Sequence, residues 1–144
     1  MAEMHEGGCL CGKVRYRVEG NPNEEAVGVC HCTFCKRRTG SAFCVYAFFD
    51  EGAVRITSGV LNTYEYRSDE TNNWIKIQFC PNCGTTVTWT GEWAPGKRAI
   101  AVGTFDDPDW AKPQVHIFKR SALKWTVFPA DVKVFKTLPL VESE

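Results

Sequence analysis

A chain of 144 residues has room for one domain whose hydrophobic core needs no covalent support. Seventeen lysine and arginine residues balance 17 aspartate and glutamate residues, so no broad field draws nucleic acid or an anionic membrane surface. No run approaches the roughly 20 apolar residues of a membrane span, and the opening MAEMHEGGCL has no apolar stretch of signal-peptide length, so the chain reads as soluble, cytoplasmic and not exported.

In chain order, Cys9-Leu10-Cys11-Gly12 precedes the first predicted strand, Val14 to Val18, where apolar and charged residues alternate. Glu19-Gly20-Asn21-Pro22 signals a turn. After Cys32, the stretch Thr33 to Thr39 suits one or two helical turns, stopped by Gly40. Val45 to Phe49 is more uniformly apolar and suits a strand near the middle of a sheet. Asp50-Glu51-Gly52 and Ser58-Gly59 are turn signals, and Tyr64 to Arg67 and Trp74 to Phe79 alternate as half-buried strands. Thr90-Gly91 reads as another turn, opening a mobile loop through Gly96 with Trp93 at its tip. Ala99 to Val102 and His116 to Phe118 are short apolar strands separated by the turn cluster Asp106-Asp107-Pro108-Asp109, and Val132 to Phe135 is a last alternating strand. No repeat, low-complexity tract or linker divides the chain. The sum is a mostly β, mainly antiparallel domain with cysteine-bearing loops.

The eight cysteines stand at 9, 11, 30, 32, 35, 44, 80 and 83. In a reducing compartment clustered thiols point to metal or reactive groups before disulfides. Cys80-Pro81-Asn82-Cys83-Gly84 places two sulfurs on one tight turn, with Pro81 setting φ and Gly84 letting backbone N–H groups approach the sulfurs. A structural zinc site wants four ligands, and Cys9 with Cys11 supplies the second pair. That union closes a long loop and predicts the N-terminal strand beside the strand that ends at Phe79. Cys30, Cys32 and Cys35 form a second group of three, the ligand number of catalytic zinc sites. Cys44, in an apolar strand, reads as a small buried hydrophobe, although as a fourth ligand it would close the site.

His31, between two proposed ligands, points away from their ion and reads as a solvated or hydrogen-bonded side chain, with a proton-transfer or substrate contact as the alternative; His116 reads as a satisfied strand histidine. Lys36-Arg37-Arg38 is a solvated face or, beside an open zinc, an anion-binding patch. The five tryptophans suit core and sheet packing, with Trp93 the one candidate for a lid.

The ordered set GGCLCGKVRY, CHCTFCKRRTGSAF, FCPNCG, VGTFDDP and KPQVHIF, followed by Trp125, resembles the glutathione-dependent formaldehyde-activating enzyme (GFA) family, which includes centromere protein V-like domains. The resemblance runs from Gly7 to about Phe128 and implies one such domain over residues 1–144 with an Mss4-like arrangement of antiparallel sheets. It implies two zinc ions: a structural one on Cys9, Cys11, Cys80 and Cys83, and a catalytic, labile one on Cys30, Cys32 and Cys35. It also implies a carbon–sulfur lyase activity, the joining of glutathione or a related thiol to formaldehyde or a small aldehyde as in S-hydroxymethylglutathione formation. The rival from another class is a non-catalytic zinc-stabilised binding module; a methionine sulfoxide reductase on the same kind of fold is a third reading.

Overall fold

The computed structural model describes residues 3–20 and 26–139. Asn21 and Pro22 of the expected turn lie outside the described residues. Strands β1 (Met4–Gly8), β2 (Arg15–Glu19) and β5 (Val54–Ser58) form a three-stranded antiparallel sheet in the order β1-β2-β5. The larger sheet has eight strands. They are β3 (Val27–Cys30), β4 (Cys44–Asp50), β6 (Asn62–Arg67), β7 (Trp74–Phe79), β8 (Thr86–Gly91), β9 (Lys97–Ala101), β10 (Val115–Ile117) and β11 (Lys133–Val134), in the order β11-β10-β3-β4-β9-β8-β7-β6. Among the described residues only β10 pairs in parallel, with β3 and β11. Among the described residues the one α-helix is α1 (Thr33–Thr39), and no helix is long and apolar enough to cross a membrane.

Strand β4 shows why a continuous apolar run belongs mid-sheet. Val45, Ala47 and Phe49 face one core, which includes Tyr16 and Val18 from β2 and so lies between the two sheets; Cys44, Tyr46 and Phe48 face a second core on the opposite side, with Trp89, Ile75 and Ile117. Successive side chains point to opposite faces, so a strand covered on both sides must be apolar throughout. The cysteines divide accordingly: Cys9 and Cys80 belong to the core between the sheets, and Cys30, Cys32, Cys35 and Cys44 to the other.

Three sequence expectations change. Tyr64 to Arg67 is an edge strand: Tyr64 is 58% exposed and only Tyr66 is partly covered, because β6 has a neighbour on one side alone and little packs over it. Thr90-Gly91 is the end of β8, paired with β7 through Thr90↔Lys76 and Gly91↔Ile75, so ladder hydrogen bonds override the local turn preference. The N-terminal strands are not laid beside β7 in one sheet; they form their own sheet.

Candidate metal centres and an adjoining cavity

The first thiol cluster is built from two turns. Cys9 and Cys11 sit in the β1–β2 connection, where the Cys9 N–H bonds the Val14 carbonyl and the Gly12 N–H the Cys9 carbonyl. Cys80 and Cys83 sit in the β7–β8 turn, closed by the Gly84 N–H on the Cys80 carbonyl at 2.9 Å, with Gly84 at φ 78°. All four sulfurs lie within 4.8 Å of one another, with Cys9–Cys11 at 3.6 Å and Cys11–Cys80 at 3.8 Å. A tetrahedral zinc with bonds of ~2.3 Å would set its sulfurs about 3.8 Å apart, so the donor set and its spacing fit that ion. Backbone N–H groups of Val14 and Asn82 reach the Cys9 and Cys80 sulfurs at 3.3 and 3.4 Å. Thr85, through its hydroxyl and then its backbone, pulls the Cys83 thiol down to about 5. These contacts favour thiolates, the form that ligates metal. The cluster thus ties the small sheet to the large one.

The second cluster is Cys30 at the end of β3, Cys32 at the N-cap of α1 and Cys35 in its first turn, all buried, with sulfurs within 4.8 Å of one another. The Cys32 sulfur accepts the Cys35 N–H at 3.3 Å, which makes the ligand-bearing loop and the helix start one structure. Cys44 is the β4 register partner of Cys30; its buried thiol interacts with those of Cys30 and Cys35 but stands outside the group of three mutual neighbours. It is both core residue and neighbour of the trio. Hydrogen bonds from Cys30 and Cys35 pull Cys32 down to about 3, while Cys32 and its neighbours push Cys30 well up. Crowded thiols share protons because they cannot all ionise together; a divalent cation removes that restriction, and three soft sulfurs suit zinc.

The trio and Cys44 form one side of a cavity of about 70 Å³. Its other walls are largely hydrocarbon, from Phe34, Phe48, Ile75, Trp89, Trp93 and Ile117. Polar lining comes mainly from the turn after β6, through Ser68, Glu70 and Thr71. Buried Ser68 accepts the Glu70 and Thr71 N–H groups at 3.2 Å each. Trp93 is not a loop tip in solvent: it is partly buried, and its ring lies over Gly91 so closely that a Cβ there would stand 1.5 Å from Trp93 Cζ3.

A model of the glutathione-dependent formaldehyde-activating enzyme family matches residues 4–121. The chain belongs to this family. It is also similar to a crystal structure of a Rhodobacter sphaeroides protein, with 25% identity and a TM-score of 0.59, over 75% of this chain and 96% of that one.

In this GFA-family chain the basic run after the trio splits into three roles. Lys36 bonds the Ser121 carbonyl, Arg37 is exposed, and Arg38 stacks on the Trp89 ring at 4.3 Å. The Arg38 Nε and Nη2 are buried and make no hydrogen bond, and the guanidinium charge helps draw Cys32 and Cys44 toward thiolates. Arg37, Arg38, Arg120 and Asp69 line a groove of about 710 Å³ that shares Phe34 and Glu70 with the cavity. Glu70 accepts the Thr33 N–H at 3.1 Å and pairs with Arg120 at 3.4 Å. His31 is fully buried and hydrogen-bonded to His116, so of its two expected settings the solvated one is wrong. Sequence reasoning missed the Ser68–Thr71 turn as part of the site; its one local signal was a polar cluster, SDETNN, ordinary for any loop.

Proposed function

We propose that this protein is a zinc-dependent carbon–sulfur lyase of the GFA type, acting as one domain over residues 1–144 in a reducing cytosol. It joins glutathione or a related small thiol to formaldehyde or another small aldehyde. The observation that carries this reading is the placement of Cys30, Cys32 and Cys35 in the wall of an apolar cavity, apart from a four-thiol cluster between the sheets. Cys9, Cys11, Cys80 and Cys83 would hold a structural zinc, and the trio a second. Bound by three protein ligands, that second ion supplies Lewis acidity, which favours a thiolate or polarises a carbonyl near neutral pH.

The protein's own groups do the rest. The thiol gives up its S–H proton, its sulfur bonds the carbonyl carbon, the C=O π pair moves to oxygen, and oxygen takes up one proton in place of the one the thiol lost; nothing is oxidised and no group leaves. Ser68 is an acceptor in both of its backbone hydrogen bonds, so its own hydrogen serves the aldehyde oxygen. Arg38 keeps positive charge beside the trio, favouring the anionic sulfur. The hydrocarbon walls exclude water and select the free carbonyl over its hydrated diol, whose hydroxyls would be buried with few partners. Holding the aldehyde here, beside the trio where the thiol would arrive, removes much of the entropic cost of their encounter.

Adduct formation from glutathione and formaldehyde, followed by NMR with metal content measured in parallel, tests the proposal. Cys32→Ser is expected to lose the reaction together with one metal equivalent. Adduct formation by that variant at the wild-type rate would overturn the assignment.

A further inference from the structure

We infer that the aldehyde this site selects carries an apolar substituent, a short alkyl chain, and that Trp93 limits its length. The inference rests on the thiol–aldehyde reading above and specifies its electrophile. Apart from the thiols and the Ser68–Thr71 turn, the cavity of about 70 Å³ is walled largely by hydrocarbon. Formaldehyde has nothing to set against those walls, and walls without contacting atoms forfeit their dispersion attraction.

The distribution of chemistry around the cavity orients such a molecule. Sulfur lines one side, the Ser68–Thr71 turn supplies the polar edge, and the remaining walls are aromatic and aliphatic groups from separate elements: Phe34 of α1, Phe48 of β4, Ile75 of β7 and Trp89 of β8. A carbonyl set toward Cys32 and Ser68 directs its substituent at these rings. Trp93 is held in that wall by its seat on Gly91, a position where any side chain would collide with the ring. Trp89 packs against the Arg38 guanidinium at 4.3 Å. Rings packed in this way yield little, so a substituent that outgrows the space beside them gains no further contact.

Two measurements on the zinc-loaded full-length protein test this. Glutathione adduct formation is compared for unbranched aldehydes from formaldehyde to heptanal, and unreactive primary alcohols of the same lengths are titrated against tryptophan fluorescence, since Trp89 and Trp93 line the cavity. The expected result is that kcat/KM and alcohol affinity rise about threefold to fourfold per methylene over the first members of the series, pass through an optimum below the seven-carbon member and then fall. Trp93→Ala is expected to move both optima to longer chains; Trp93→Phe, which keeps the ring packing, moves them less. Should Trp93→Ala fail to fold, the wild-type alcohol series still decides. Formaldehyde as the best substrate with alcohol affinity independent of length overturns the inference and leaves the thiol–aldehyde reading standing. A length optimum among alcohols with no adduct from any aldehyde supports the selective cavity and overturns that reading instead.

Discussion

His31 Nε2 and His116 Nδ1, from residues 85 positions apart, meet at 2.9 Å inside the protein. One nitrogen donates and the other accepts, so the pair is stable with at least one ring neutral. The contact joins the loop after β3 to β10, and Phe43 and Phe128 enclose the His31 ring at 5.3 Å each.

This pair makes stability depend on pH. Burial, and after it the neighbouring His116, pulls His31 down to about 4, and burial also lowers His116. The unfolded rings titrate near ~6.5, so between the two values the unfolded chain binds more protons. Stability from the neutral rings is thus full above about pH 6.5 and lost as pH falls toward 4, by about 3 kcal/mol for His31. His116→Gln keeps a partner for His31 but removes one titrating ring, so its denaturation free energy is expected to fall less steeply over this range. Identical slopes in the two proteins would count against the pair as the cause.

The two thiol clusters are expected to respond differently to loss of one sulfur. Cys80→Ser breaks the tie between the sheets and should lower Tm by more than about 10 °C along with one zinc equivalent. Cys32→Ser should lose one equivalent with a much smaller Tm change, because β3, β4 and α1 stay joined by their own ladder and cap. Calorimetry with metal analysis separates the two.

Arg38 is expected to act on thiol ionisation through its charge. In metal-free protein, Arg38→Met should raise the pH midpoint of trio alkylation by about 0.5 to 1, and Arg38→Lys should return it part of the way. A midpoint that ignores the charge and follows only side-chain volume would assign Arg38 to packing on Trp89.

Ser68→Ala is expected to lower kcat for adduct formation about tenfold to a hundredfold while both metal equivalents remain. It removes the hydroxyl hydrogen and also the acceptor for two N–H groups. Ser68→Thr, which restores both, should recover activity.

Gly28 marks a close approach that the fold requires. A Cβ there would lie 2.4 Å from the Tyr46 hydroxyl and 3.0 Å from the Val115 carbonyl oxygen. Gly28→Ala should cost about 1–3 kcal/mol by chemical denaturation, and because Tyr46 lines the cavity it should disturb alcohol binding as well.

Local patterns account for the elements that were readable in advance. Strict alternation from Trp74 to Phe79 and the Gly40 stop after Thr39 correspond end to end with β7 and α1, since both signals depend only on near neighbours. Strands β1, β3, β5 and β8 escaped notice for the opposite reason. Gly7 and Gly8 of β1 weaken its pattern, yet glycine is demanded there by Tyr16, whose hydroxyl would sit 2.3 Å from a Cβ at Gly7. Val27–Cys30 is short and covered on both faces, so it shows no period.

The spacing of the cysteines by itself marked out the pairs Cys9–Cys11 and Cys80–Cys83 and the trio Cys30, Cys32 and Cys35, and the ordered motifs pointed to the family, because chelation at short range is set by a few adjacent residues. Tertiary structure alone decided that the four-thiol group joins two sheets, that Cys44 stands against the trio, that His31 pairs with His116, and that Ser68 and Trp93 face the same cavity. Those relationships arise where strands distant in sequence cross, and their contacts are with groups no local window contains.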